Sequence, residues 1–415
     1  MSHHQTESLL PPYRVLDLAD EKGFFCGKIL ADLGADVIKI EPPGGDPSRS
    51  IGPFYHDIPD PEKSLYWFAY NTSKRGITLN IKTKDGQEIF NRLAKTADFI
   101  IESFPPGYMD SLGLGYQSLS QINPGLIMTS ITPFGQSGPY KDYQASDIVA
   151  MAAGGQMTLC GDPDRPPLRC TIDQSYPHAG AQAAVGTLFA LYYRQLTGEG
   201  QWVDVSMQEC VLATTWNLHP FWDINKVLLK RQGVRLARGI TSPRNVFPCK
   251  DGYVSWRVFT AAQAPKTRAM VSWMDEEGMA GDLTQVNWEE ADMDKVGQEQ
   301  LEQWEETFAK FLLTRSKKEL YRNCFKRGAM LFLVRTPKDL MEHEQLAARD
   351  VWVEVDHPEL GTKITYPGAP FKSSQTSWRI SRRAPLIGEH NEEIYEGELG
   401  FTKQELTILK HGNVI

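Results

Sequence analysis

The apolar and polar positions of the first half of the chain fall into a repeating pattern. Tyr13-Arg14-Val15-Leu16-Asp17-Leu18 and Asp36-Val37-Ile38-Lys39-Ile40-Glu41 read as strands, and the spacing between them predicts a helix over 27–33 that closes at Gly34. That strand-helix-strand unit favours a parallel sheet. The pattern continues with a strand over 76–80, a helix over 84–95, and strands over 98–102 and 126–131. A long helix over 179–196 then leads to a strand over 202–205. In that helix Val185, Leu188, Phe189 and Tyr192 recur at helical spacing and are expected to form a buried face. Gly180, Ala181, Ala183, Ala184 and Gly186 would let another backbone come close, and Gly198 and Gly200 stop the helix.

After the last of these strands the pattern changes. Residues 223–238 read as a charged linker, and strands are expected around Lys250-Asp251-Gly252 within 245–258. The acidic, Gln-rich run over 288–311 reads as an exposed amphipathic helix, with Glu289, Glu290, Glu305 and Glu306 on a solvated face. Val353-Glu354-Val355 and Lys363-Ile364-Thr365-Tyr366 predict a hairpin returning to the first domain, and residues 1–12 read as a loose leader. No internal repeat or low-complexity tract is present.

Composition narrows the class. At 415 residues the chain exceeds what one core usually holds, so two domains are expected, and 41% hydrophobic with 23% charged residues excludes disorder. A formal net charge of -8 argues against a nucleic-acid or anionic-membrane partner. No stretch combines a basic start with an apolar run, so the chain reads as cytoplasmic. Six cysteines without CxxC spacing are expected to be reduced thiols, and no spacing supports a metal site.

Candidate chemistry gathers in a few places. No GxGxxG follows the first strand, which excludes the dinucleotide fingerprint. Asn71-Thr72-Ser73-Lys74-Arg75 sets adjacent cations before a strand. It could grip a phosphate or carboxylate, or it could be a solvated turn with surface salt bridges. Tyr66, Trp67, Phe68 and Tyr70 could line a pocket for a ring or simply be core. The turn-rich segment 132–140, with Gln136, lies beyond a strand's carboxyl end, where open α/β sheets bind ligands, and Asp147 follows it. Asp173, just before the long helix, is either a reactive carboxylate or a loop or N-cap aspartate. His56, His178 and His390 read as surface or capping residues, His178 being nearest the expected centre.

The order of DLGADVIKIE, NTSKRGITLN, ESFPPG, TPFGQSGPY, AAVGTLFAL, TGEGQWVDVSM, PGAPFKSS and RAPLIGEHNEEI resembles the class III CoA-transferases, the formyl-CoA and carnitine CoA-transferase group. The resemblance implies an α/β fold with a large Rossmann-like domain (1–222) completed by a return segment (336–415). A linker and smaller α/β domain (223–335) lie between them, and two protomers thread as interlocked rings. It also implies ping-pong acyl transfer with coenzyme A as a substrate and no resident cofactor. A carboxylate attacks the donor thioester to give a mixed anhydride, CoA returns to form an enzyme-acyl thioester, and the acceptor acid displaces it. Oxyanions are held by backbone amides, and the CoA phosphates by cations. On the matching motifs the CoA-binding residues would be Asn71, Lys74, Arg75 and Phe104, with Gln136, Asp147 and His178 in the pocket.

The sequence departs from the family at the site itself. Aligned on Gly180 and Gly186, the nucleophilic Asp falls on Tyr176, with Asp173 three residues upstream. Asp20-Glu21-Lys22-Gly23-Phe24-Phe25 replaces a small Gly-Pro turn, and Pro42, Pro105 and Ser111 stand where arginines are common. The opening, PDPEKSLYWFAYNTSKRG and DQSYPHAGAQAAVG resemble the two-subunit benzylsuccinate CoA-transferases of anaerobic toluene breakdown, at the subunit without the nucleophile. That implies succinyl-CoA as donor, an aryl-substituted succinate as acceptor and a homologous catalytic subunit as partner. The alternative is a self-sufficient homodimer that uses Asp173.

Overall fold

The computed structural model describes residues 8–10, 13–236, 241–293 and 295–415. Most of the expected leader and the end of the expected linker, 237 and 238, lie outside them. The chain forms two compact units: one of 1–155, 170–216 and 344–415, the other of 156–169 and 217–343. The excursion 156–169, inside the stretch assigned above to the large domain, thus belongs to the second unit.

In chain order the first unit begins β1 (Arg14–Asp17), α1 (Phe24–Asp32), β2 (Asp36–Glu41), α2 (Leu65–Tyr70), β3 (Arg75–Thr78) and α3 (Lys84–Ala94). It continues β4 (Phe99–Glu102), α4 (Tyr108–Ser111), α5 (Tyr116–Ile122), β5 (Ile127–Thr132), α6 (Asp147–Ala153), α7 (Ser175–Thr197) and β6 (Trp202–Ser206). The six strands form one parallel sheet in the order β3-β2-β1-β4-β5-β6. The order reverses beside β1, which makes the carboxyl ends of β1 and β4 the topological switch point. Val15, Val37, Phe99, Ile127 and Ile131 pack under α1 and α7 on one face, while Ile38, Ile77, Ile100 and Met128 meet Ile89, Phe90 and Leu119 on the other. The two faces explain why these strands read as nearly continuous apolar runs.

α7 corrects the expected buried face. Val185, Phe189 and Tyr192 are 43%, 73% and 64% exposed, and the buried side is Tyr176, Ala179, Gly180, Ala183, Ala184, Thr187, Ala190 and Leu191. Small residues pack on the sheet because they let the helix axis come close. A Cβ on Gly180 would sit 2.8 Å from Phe25 Cβ and 3.0 Å from Cys26 N, so α1 and α7 touch nearly backbone to backbone.

Residues 388–415 close the free edge of β3, an edge that would otherwise offer unpaired backbone groups to other chains. Gly76 N donates to His390 Nδ1 (3.1 Å), Thr78 N to Asn391 Oδ1 (2.9 Å), and the Tyr395 hydroxyl to Thr78 O (2.6 Å). The hairpin Trp352–His357 with Thr362–Pro367 is antiparallel and belongs to the same unit.

His390 makes this clasp sensitive to pH. Its Nδ1 accepts an N–H only when unprotonated, and burial, ahead of nearby charges, holds its pKa below the usual value. Detached, the imidazole would titrate near about 6.5, so the clasp contributes fully above that pH and weakens as pH falls through the interval below it. Amide exchange at 76–78 and 388–395 is expected to quicken between about pH 7.5 and 5.5 beyond its intrinsic pH dependence. In His390→Gln this extra sensitivity should vanish; its survival would show that another group titrates.

The second unit has an antiparallel sheet in the order Val246–Cys249, Gly252–Ser255, Phe332–Leu333, packed on the helices Ala264–Glu276 and Gln298–Leu313. Within the acidic helix Glu305 is buried, taking Arg235 Nη1 at 2.9 Å and Arg244 N at 2.6 Å. This corrects the expectation of a wholly solvated acidic face.

Candidate functional site

The head of α7 is organised by a carboxylate, but not by Asp173. Asp147 Oδ1, buried on the first turn of α6, accepts Gln174 N (2.8 Å), Ser175 N (2.7 Å) and the Ser175 hydroxyl (2.8 Å). It therefore satisfies the free amides of the helix start and complements its positive end. Asp147 N in turn donates to the Tyr176 hydroxyl at 3.1 Å. Asp147, expected to line a pocket, is thus the cap of α7. Asp173 is not the cap: α7 begins at Ser175 with Gln174 in the cap position and no side-chain cap bond.

Asp173 instead belongs to a patch of rings and acids. Tyr66 and Tyr70 lie 4.9 Å apart between ring centroids, and Phe25 meets Tyr70 edge-on at 6.2 Å. The Tyr66, Tyr70 and Tyr176 phenols are all held above their usual pKa, by burial first and also by the charge of Asp173. Glu21 acts on Tyr66 and Tyr176 in the same way. The Glu21 carboxyl is itself pushed up, by burial and then by Asp20. Of the aromatic run, Trp67 and Phe68 are core, while Tyr66 and Tyr70 remain partly open. His178 sits partly buried on the first turn of α7.

A cleft of about 370 Å³ opens at the switch point, across the carboxyl ends of β1, β2 and β4 and the turn after β3. Leu18, Ile40 and Leu79 give it an apolar floor, Phe104 and Tyr108 a ring wall with centroids 4.7 Å apart, and Lys82 an exposed cation. Asp20 lines it too, so the turn bearing Glu21 joins the cleft to the ring-and-acid patch. A separate cavity of about 160 Å³ holds Gln136 with Glu102 and Trp202. Burial pushes the Glu102 carboxyl up to about 7.

The side chains of Asn71, Lys74 and Arg75 are buried among the chain's own groups, which corrects the expectation of a solvated turn. Lys74 is fully buried, its Nζ 2.8 Å from Asp17 Oδ2, 2.8 Å from Asn71 Oδ1 and 3.1 Å from Phe24 O. Arg75 is buried and shared among Asp36, Glu393 and Glu398. A run of polar letters cannot show that its charges are answered by Asp17 and Asp36 far away in sequence. Lys82 and Glu102 were missed, and Glu21 entered only as part of the turn that replaces the family's Gly-Pro. For the two missed residues the available signal was position alone: Glu102 ends β4 and Lys82 follows β3.

Among the described residues no helix is long and apolar enough to cross a membrane. Residues 10–391 match the family described as CoA-transferase family III. The chain is 36% identical over 410 residues to the succinyl-CoA:(R)-benzylsuccinate CoA-transferase subunit BbsE of Thauera aromatica, covering 97% of each. It is 33% identical to the succinyl-CoA–D-citramalate CoA-transferase of Chloroflexus aurantiacus, covering 100% of each. Among solved structures, a CAIB/BAIF family protein from Brucella suis superposes with a TM-score of 0.82 at 28% identity, over 94% of this chain and 99% of that one.

Proposed function

Because the chain belongs to CoA-transferase family III and is a CoA-transferase, we propose that it acts as the subunit that shapes, without acylating, the site of a two-subunit class III enzyme. The observation that carries this reading is Tyr176. At the head of α7, where a side chain must become a mixed anhydride, stands a phenol that burial and two neighbouring acids hold in its protonated form. The α7 amides around it are already bound to Asp147. A homologous partner would then bring the nucleophilic carboxylate. The exposed Phe189, Tyr192 and Leu196 give α7 an apolar outer face that another protomer could cover, as the interlocked ring implied by the family requires.

In this reading coenzyme A of the donor lies in the cleft at the switch point. Its ring system stacks toward Phe104 and Tyr108, and Lys82 meets its phosphate charge. The thioester end reaches Tyr66, Tyr70 and Phe25, rings suited to an aryl-substituted acid such as benzylsuccinate, with succinyl-CoA as donor. A second reading, a self-sufficient enzyme acylated at Asp173, is favoured by the placement of that carboxylate beside the same phenols.

Trapping separates the two. The chain alone, incubated with succinyl-CoA and hydroxylamine, is expected to give no hydroxamate at Asp173. Its complex, copurified from the native cell, is expected to give one on a second CoA-transferase chain present in equal amount. A hydroxamate at Asp173 in the isolated chain would establish the second reading.

A further inference from the structure

We propose that Lys74 is a positioning residue for acyl transfer: its buried ammonium holds the Phe24 carbonyl, and with it the turn 20–25, against the head of α7. The inference rests on the reading of the site given above, and its geometry is fully internal to the first unit.

Three bonds converge on Nζ. It donates to Asp17 at the end of β1, to the Asn71 side chain after α2, and at 3.1 Å to the backbone carbonyl of Phe24 at the start of α1. Asp17 has its own second task, since its Oδ1 accepts Ala19 N at 3.0 Å and so fixes the chain as it leaves the sheet. The turn carrying Asp20 and Glu21 is therefore held at both ends, by Asp17 at Ala19 and by Lys74 at Phe24.

The space for this clamp is reserved. A Cβ on Gly27 would fall 2.2 Å from Asp17 Oδ2 and 3.0 Å from Lys74 Nζ, so α1 is glycine where it crosses the pair. In the same turn, Phe25 and Cys26 meet Gly180 of α7. The ammonium thus sets the position of α1's first turn, which rests directly on the helix whose head carries Tyr176. Glu21 and Phe25, the two members of the patch supplied by this turn, follow.

Stability alone does not call for such a pair. Two charges removed from water at a fully buried site roughly break even with apolar groups of the same volume. A bond from a charge to a carbonyl fixes direction as well as distance, which apolar packing does not.

The test uses the assembly as it purifies. Asp17→Asn/Lys74→Met removes both charges together and leaves an amide oxygen for Ala19 N. It is expected to lower kcat at least tenfold with KM for the CoA thioester within twofold, and to speed amide exchange at 20–25 at least tenfold without substrate. Gly27→Ala keeps both charges but puts a Cβ 2.2 Å from Asp17 Oδ2 and 3.0 Å from Lys74 Nζ, so it drives the pair off α1 and is expected to move kcat and exchange at 20–25 in the same directions. A double variant with parental kcat and exchange overturns the proposal. So do parental kcat and exchange in Gly27→Ala, and this single variant decides should the double one not fold. Exchange at 20–25 reports the clamp whatever reaction the site performs, whereas absence of transfer in the parent assembly would sink the functional reading alone.

Discussion

Replacing Glu41 with alanine is expected to destabilise the first unit by about 3 kcal/mol, because it leaves a buried guanidinium with only the partly exposed Glu62, 2.8 Å from Arg49 Nη1, to answer it. Arg49 is almost fully buried; its Nε lies 2.6 Å from Glu41 Oε2 and its Nη2 2.8 Å from Glu41 Oε1. The same group stacks on Trp67 at 3.8 Å and donates to Pro385 O at 2.9 Å. Glu41 also accepts Asp46 N at 2.8 Å, which shapes one wall of the cleft. Calorimetry should show the transition of the first unit roughly 10 °C lower. Glu41→Met/Arg49→Met, which removes both charges, should recover most of the loss. A drop below about 1 kcal/mol for the single variant would mean that water reaches Arg49.

Gly180→Val is the second large effect, and it separates stability from function. Its first added carbon alone would lie 2.8 Å from Phe25 Cβ and 3.0 Å from a backbone nitrogen, so the two helices must part. Overpacking of this kind costs about 1–3 kcal/mol, which leaves the unit folded. Transfer should nevertheless fall more than a hundredfold, since a shift of about 1 Å at a reacting centre has that scale of effect. Measured kinetics within threefold of the parent would show that Phe25 and the head of α7 need not keep this distance.

Strands β1 to β5 were legible because they are buried on both faces. Val37-Ile38-Lys39-Ile40 and Phe99-Ile100-Ile101 admit no other reading once helices flank them. The facing of α7 was not legible. Val185, Phe189 and Tyr192 keep the period of a core stripe, and periodicity does not say whether the surface an apolar stripe covers is the chain's own. Alanine and glycine, which make the weaker signal, are the residues that let a helix lie close on a sheet. The site was half legible. Tyr176 in place of an aspartate is a matter of letters, whereas the cap by Asp147 and the burial of Lys74 depend on residues 27 and 57 positions away. Charged residues at the turn before β3 looked like ligand contacts because sequence shows a charge but not the partner that neutralises it.

The closing of β3 by residues 388–415 has a consequence for how the protein is made. Asn80 N donates to Val414 O at 2.7 Å, and Val414 and Ile415 are packed into the core beneath the sheet. A ribosome delivers those residues after the 217–343 stretch has already emerged, so the second unit can finish folding while the first still waits with an uncovered edge. During that interval the nascent parallel sheet is the surface a chaperone would guard, and slowing translation after residue 343 should prolong its exposure to aggregation.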